Sequence, residues 1–130
     1  MADPESVKEF QSVISKFIDK MGFNIVASRV LDDGSIDFSA QTTNPMGGKV
    51  TSLIRASTYT RLVNQADIED LARSISASGA VRGAYITTSG FSDDAVEATR
   101  DKPISLINKY QLIDSIEKRG LLKDKELMEV

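Results

Sequence analysis

Arg55 and Ser57 stand two residues apart in a stretch beginning at Lys49 that is otherwise apolar at Val50, Leu53, Ile54 and Ala56. On an extended strand that spacing puts both side chains on one face. Two readings are open: the pair marks the strand's solvent face, or it lines a pocket in which Arg55 meets a phosphate or a partner's carboxylate. Asp37, three residues after Gly34, reads by itself as a solvated carboxylate near a turn. Thr87-Thr88-Ser89 ends a short strand just before a helix. Its hydroxyls and amides either contact a backbone phosphate or only close the turn that Ser92 caps. Asp32-Asp33 reads as turn chemistry rather than a metal pair. Gly47-Gly48 reads as a hairpin tip, since no helix opens behind it and no Lys-Ser/Thr follows.

Composition narrows the chemistry further. The 130 residues hold no histidine and no cysteine. Zinc sites, cysteine hydrolases and Ser-His-Asp triads are therefore excluded, and any metal would be a hard ion held by oxygen. With 41% hydrophobic and 27% charged residues, the chain reads as one globular domain long enough to bury a core without a staple. No apolar run approaches the roughly 20 residues of a membrane span, and the first ten residues lack a secretory pattern. The expectation is an intracellular, cytoplasmic protein with no membrane partner. Sixteen Lys and Arg against nineteen Asp and Glu leave a net charge of −3, which argues against a broad basic surface.

The elements that must position these residues are legible from periodicity. Pro4 at a first helical position, then Val7, Phe10, Val13, Ile14, Phe17, Ile18 and Met21 at spacings of three and four, predict one amphipathic helix that Gly22 ends. Phe23–Leu31 and Ile36–Ala40 flank the turn Asp32-Asp33-Gly34 and predict a hairpin. A second turn over Thr42–Gly48 leads to a strand over Lys49–Ala56. Helices are predicted over Ala66–Ser78, from Ser92 to Ala98 and over Tyr110–Arg119, the last with Leu112, Ile113 and Ile116 inward. Strands over Gly83–Thr88 and Ile104–Ile107 separate them. The order α-β-β-β-α-β-α-β-α implies an α/β fold with a mixed sheet covered by helices. Residues 1–120 form the expected domain, with 121–130 a tail or docking segment.

Several of these stretches, in order and spacing, resemble the Mrr-type (type IV) restriction endonuclease domain of the PD-(D/E)xK superfamily. They are Phe10 followed by Met21-Gly22-Phe23; Asp33-Gly34-Ser35-Ile36-Asp37; Ile54-Arg55-Ala56-Ser57 leading into Tyr59; Gly83-Ala84-Tyr85-Ile86-Thr87-Thr88-Ser89 with Phe91-Ser92; and Ile104-Ser105-Leu106-Ile107. The resemblance spans about Phe10 to Arg119 and implies a restriction-endonuclease-like three-layer α/β/α sandwich. It also implies Mg²⁺-dependent DNA cleavage, in which carboxylates hold the metal and a Lys stabilises charge near the attacking water. Asp37 falls on the family's metal-binding Asp. The Gln/Glu and Lys positions of the third strand carry Arg55 and Ser57, and the helix Glu position carries Gln11.

The catalytic motif therefore looks degenerate, with Asp37 a remnant. The register suggests an ion pair between Asp37 and Arg55. Lys49, eight residues before Ser57, lies about 25 Å away along an extended chain, and Arg73 on the next helix is a conceivable substitute. Tyr59 and Arg61, just past the motif, read as a DNA-contacting pair beside Arg55, Thr87, Thr88 and Ser89, or as an ordinary loop. Arg29, Lys49, Arg55 and Arg61 against Asp32, Asp33 and Asp37 leave the region barely positive, so DNA affinity is expected to be modest and salt-sensitive. The first reading is a non-cutting module for DNA or protein, alone or as one half of a dimer, with no metal expected and Asp37 the ligand if any binds. The alternatives are an active Mg²⁺-dependent endonuclease with relocated groups, and a structural adaptor with no DNA binding.

Overall fold

A computed structural model describes the backbone of residues 4–58 and 60–119, and the side chains of these except 4–7, 116, 118 and 119. The elements are α1 (Pro4–Lys20), β1 (Asn24–Val30), β2 (Ile36–Thr43), β3 (Lys49–Ser57), α2 (Gln65–Ser78), β4 (Arg82–Thr87), α3 (Asp93–Ala98), β5 (Ile104–Ile107) and α4 (Lys109–Arg119). The order matches the expectation. The tail expected at 121–130 and the inward placement of Ile116 lie outside the described residues. Among those residues no helix is long and apolar enough to cross a membrane.

The five strands form one sheet in the order β1-β2-β3-β4-β5. The first three pair antiparallel, while β3, β4 and β5 run parallel through the α2 and α3 crossovers. Alternation splits the core into two layers. Ile36, Phe38, Ala40, Ile54, Ala56 and Ile86 face one side and pack on Phe10, Ile14, Phe17 and Ile18 of α1 and Leu112 of α4. Leu53 and Tyr85 face the other and pack on Ile68, Leu71 and Ile75 of α2 and Ala95 of α3. This is the three-layer α/β/α arrangement.

The end of β2 differs from the sequence reading for a physical reason. β2 continues past Ala40 to Thr43, because Gln41, Thr42 and Thr43 keep their ladder with Thr51, Val50 and Lys49. Apolar alternation stops there, but backbone pairing does not. The next turn is held by Asn44, whose Oδ1 accepts from the amides of Met46 and Gly48 at 2.9 Å each. Asp33 does the same work in the first hairpin, its Oδ1 accepting from Ser35 N at 2.9 Å, while Gly34 takes a φ of +87°. That is the turn role expected of this dipeptide. β1 is an edge strand, largely exposed, and a register shift between Ile25 and Ala27 breaks its alternation.

The position of α2 decides what surrounds the middle of β3. Asn64 and Asp67 form a reciprocal capping box at its start, and Gly79 ends it at a φ of +77°. Its distance from the sheet is set at Gly83. A Cβ there would lie 2.5 Å from Ile75 Cδ1 and 2.7 Å from the Leu53 carbonyl oxygen. Gly83→Ala is therefore expected to destabilise the fold by about 1–3 kcal/mol, as overpacking does. Urea unfolding checks this, and an unchanged midpoint would show that α2 is not seated on that glycine.

Candidate functional site

In the β2–β3 ladder Asp37 stands directly opposite Arg55, and both point to the α2 side of the sheet. Arg55 grips the carboxylate with two parallel bonds, Nε to Oδ1 at 2.7 Å and Nη2 to Oδ2 at 3.0 Å. This is the fork geometry that makes Arg–carboxylate pairs strong. The guanidinium then reaches α2, donating from Nη1 to Asp70 Oδ2 at 2.6 Å and from Nη2 to Ser74 Oγ at 3.2 Å. Four of its five N–H donors are thus used within the chain. Neither partner of the strand pair faces solvent, Arg55 being 4% and Asp37 6% exposed, so the solvent-face reading of Arg55 is corrected. α2 roofs the strand, and a polar residue in its middle is buried rather than wetted.

Burial by itself pushes the Arg55 pKa down, but the hydrogen bonds and charges of Asp37, and then of Asp70, outweigh it and raise the net value. The guanidinium stays charged at any pH at which the protein folds. Asp70 itself is half-exposed, with its side chain at 56%, and also accepts from Arg73 Nη2 at 3.3 Å. Arg73 is an exposed outer partner of the same carboxylate.

The other expected residues sort clearly. Ser57 is fully buried and donates from Oγ to Thr87 Oγ1 at 3.2 Å, and Thr87 Oγ1 lies 3.0 Å from Ser89 Oγ. These hydroxyls, together with the Thr88 amide on the Ser57 carbonyl at 3.2 Å, tie the ends of β3 and β4. The solvent-face reading fails for Ser57 as well. Thr87 is buried, while Thr88 and Ser89 are half-buried. Arg61 is clamped on the first turn of α2 by Asp67, at 2.7 and 3.1 Å. Tyr59 lies outside the described residues. Gln11 donates to Ser28 Oγ at 3.1 Å. Since Ser28 is the cross-strand partner of core-facing Phe38, Gln11 belongs to the α1 layer, on the opposite side of the sheet from Asp37. Lys49 pairs with Thr43 at the far end of the β2–β3 ladder.

Sequence reasoning missed Asp70 and Ser74. They are four residues apart, so they share one side of α2, each just before a core residue, Leu71 and Ile75. That polar pair beside the apolar stripe is the signal that could have found them. The site opens into two clefts that share Arg29 as a wall. One, of about 380 Å³, is lined by Ala27, Arg29, Asp37, Ser39 and Ser74 among others. The other, of about 510 Å³, is lined by Arg29, Asp32, Asp33, Arg55, Asp67 and Asp70 among others. With Arg55 already engaged, carboxylates dominate the mouth.

The chain matches the family described as Restriction endonuclease (Mrr_cat) over residues 3–116. No curated protein matches it. Its fold is similar to that of the DNA modification-dependent restriction endonuclease AspBHI, with a TM-score of 0.63 at 15% identity over 99% of this chain and 39% of that one. It is also similar to the MspJI restriction endonuclease solved in complex with a 27-mer oligonucleotide, with a TM-score of 0.52 at 15% identity over 98% of this chain and 36% of that one. The chain therefore spans less than half the length of either.

The charge cluster can be tested by substitution and by pH. Arg55→Ala leaves Asp37 buried without its counter-charge, and the expected loss of stability is about 3–5 kcal/mol. Asp37→Leu combined with Arg55→Met should recover most of it, since both buried charges then vanish together; a double variant as unstable as the single one would refute a strong pair. At the helix start, burial pushes the Asp67 pKa up, but the bonds from Arg61 and the Asn64 amide outweigh that and hold it below the ordinary carboxylate value. The stability it supplies is complete above the ordinary value and is lost as pH falls through the lowered one. The stability gap between the native chain and Asp67→Asn should accordingly narrow on acidification, as read from urea midpoints across a pH series.

Proposed function

Given that the chain belongs to the Mrr-type restriction-endonuclease family, we propose that it is a nuclease-fold module that binds DNA and has given up metal-dependent cleavage. The observation that carries this reading is the buried Arg55 guanidinium bracketed by Asp37 and Asp70. Family chemistry asks for carboxylate oxygens free to hold Mg²⁺ and a Lys beside them. Both oxygens of Asp37 accept from Arg55, and among the described residues no lysine shares that bond network. The residues present do not fit Mg²⁺. A dication between Asp37 and Asp70 would have to displace a fixed monocation that makes four hydrogen bonds.

DNA as the partner is supported by the family premise and by the oligonucleotide bound to one fold relative. Electrostatics sets the expected strength. A chain at −3 whose cleft mouth carries Asp32, Asp33, Asp67 and Asp70 repels phosphate there, so binding is modest and rests on few contacts. Arg29, which lines both clefts, supplies the phosphate donor there, since the amides of Thr88 and Ser89 are already engaged by Ser57 and Thr87. The same acidic mouth favours a second reading, a basic protein segment seated in the cleft.

Fluorescence anisotropy of duplex, single-stranded and branched DNA across a salt series, followed by gels with Mg²⁺ or Mn²⁺, tests the proposal. The expected result is binding that weakens with salt at a shallow slope, set by few phosphate contacts, with DNA left intact. Asp37→Ala should leave affinity unchanged or raise it, because a negative charge near phosphate is removed. Cleavage that Asp37→Ala abolishes would overturn the non-cutting reading. No binding at low salt would turn the assignment to a protein partner.

A further inference from the structure

On the face of the sheet away from the Asp37–Arg55 pair, a pocket of about 210 Å³ lies between the end of α1 and the starts of β3, β4 and β5. Its walls are apolar, with Phe17, Ile18, Phe23, Ile54, Ile86 and Ile107 among them. One group there is unexplained. Ser52 is 3% exposed, and among the described residues its Oγ is the single buried side-chain polar atom with no hydrogen-bond partner. Such orphans are costly unless a ligand or water completes them.

A cation stands beside that hydroxyl. Arg82 is the cross-strand partner of Ser52, about 4.8 Å away by strand spacing. It also shares the α1 face with Ser52, since its neighbour Gly83 meets α2. Arg82 is exposed and forms no ion pair with any described residue. It lines both the apolar pocket and an adjoining open cleft of about 480 Å³, which adds Lys102. Lys102 is already committed to the Ala98 carbonyl at 3.0 Å and to Asp101 at 3.1 Å. Of the two cations at the rim, Arg82 is the one left to meet an anion.

We propose that pocket and rim are one site for a medium-length alkyl chain bearing an anionic head. One head-group oxygen accepts from the Ser52 hydroxyl and another from the Arg82 guanidinium, while the chain lies among Phe17, Phe23, Ile54 and Ile107. The volume sets the length. A pocket of about 210 Å³ suits a chain of medium length, for which an eight-carbon acid is the probe. A carboxylate and a phosphate monoester present the same chemistry to Ser52 and Arg82.

Isothermal titration calorimetry of the full chain with octanoate, octyl phosphate and octyltrimethylammonium tests the site. The expected result is saturable one-to-one binding of at least one anionic amphiphile and none of the cationic one, the tighter anion naming the head group. Arg82→Glu, an exposed substitution, should weaken that binding at least tenfold, the size expected for a lost charge-assisted bond. Ser52→Ala should weaken it too, with little cost to the fold. Absence of saturable binding, equal binding of octyltrimethylammonium, or indifference to Arg82→Glu would overturn the proposal. So would about tenfold tighter octanoate binding by a chain carrying Leu121→Asp and Leu122→Asp, since the pocket would then belong to residues of the chain itself.

Discussion

A guanidinium held out of water between two carboxylates constrains much of the molecule's working side. Arg55 is permanently charged, and a buried charge is tolerable only with partners in good geometry. The network draws on three elements: Asp37 from β2, Arg55 itself from β3, and Asp70 with Ser74 from α2. The β2–β3 register, the rotation of α2 about its axis and its height above the sheet must all satisfy that one group. Gly83 permits the height, and the Asn64–Asp67 capping box fixes where the helix begins. Arg61, bound to Asp67, fastens the incoming loop to the same turn.

The same arrangement explains how a carboxylate in the middle of the sheet is neutralised by the chain's own residues. Strand pairing in this fold brings an acidic side chain on β2 against the middle of β3. With a metal, the repulsion among such carboxylates is relieved by a dication; with arginine, it is relieved by the chain. Arg55 supplies a structural cation for Asp37, and Ser57 supplies a hydroxyl that joins β3 to β4 through Thr87. Both side chains are hydrogen-bonded within the chain.

Much of this is legible in the sequence. The 3.6-residue stripe of α1, the two glycine-bearing hairpins and the strand before Thr87 each have local signatures, and together they give the element order. The Asp37–Arg55 pairing is legible as well, because the turn over Asn44–Gly48 fixes the β2–β3 register and register fixes faces. What local pattern does not carry is how a helix is set against a sheet. Gln11, singled out only through the resemblance, lies in the α1 layer beside Ser28. Asp70 and Ser74 are ordinary polar helix residues until the crossover brings α2 over β3. The end of β2 escapes pattern reading because Gln41, Thr42 and Thr43 stay in the ladder without an apolar face to announce it.

The spatial order of the strands is their order in the chain, and this gives assembly a direction. No strand has to be threaded between two that are already paired; each new one meets an open edge. α1 and the three-stranded meander precede α2 in the chain. The β2–β3 ladder by itself places Asp37 opposite Arg55, and α2 is the element that covers the pair as it brings Asp70 and Ser74 to the guanidinium. The electrostatic cost of burial thus belongs to the seating of α2, which also brings the groups offsetting it.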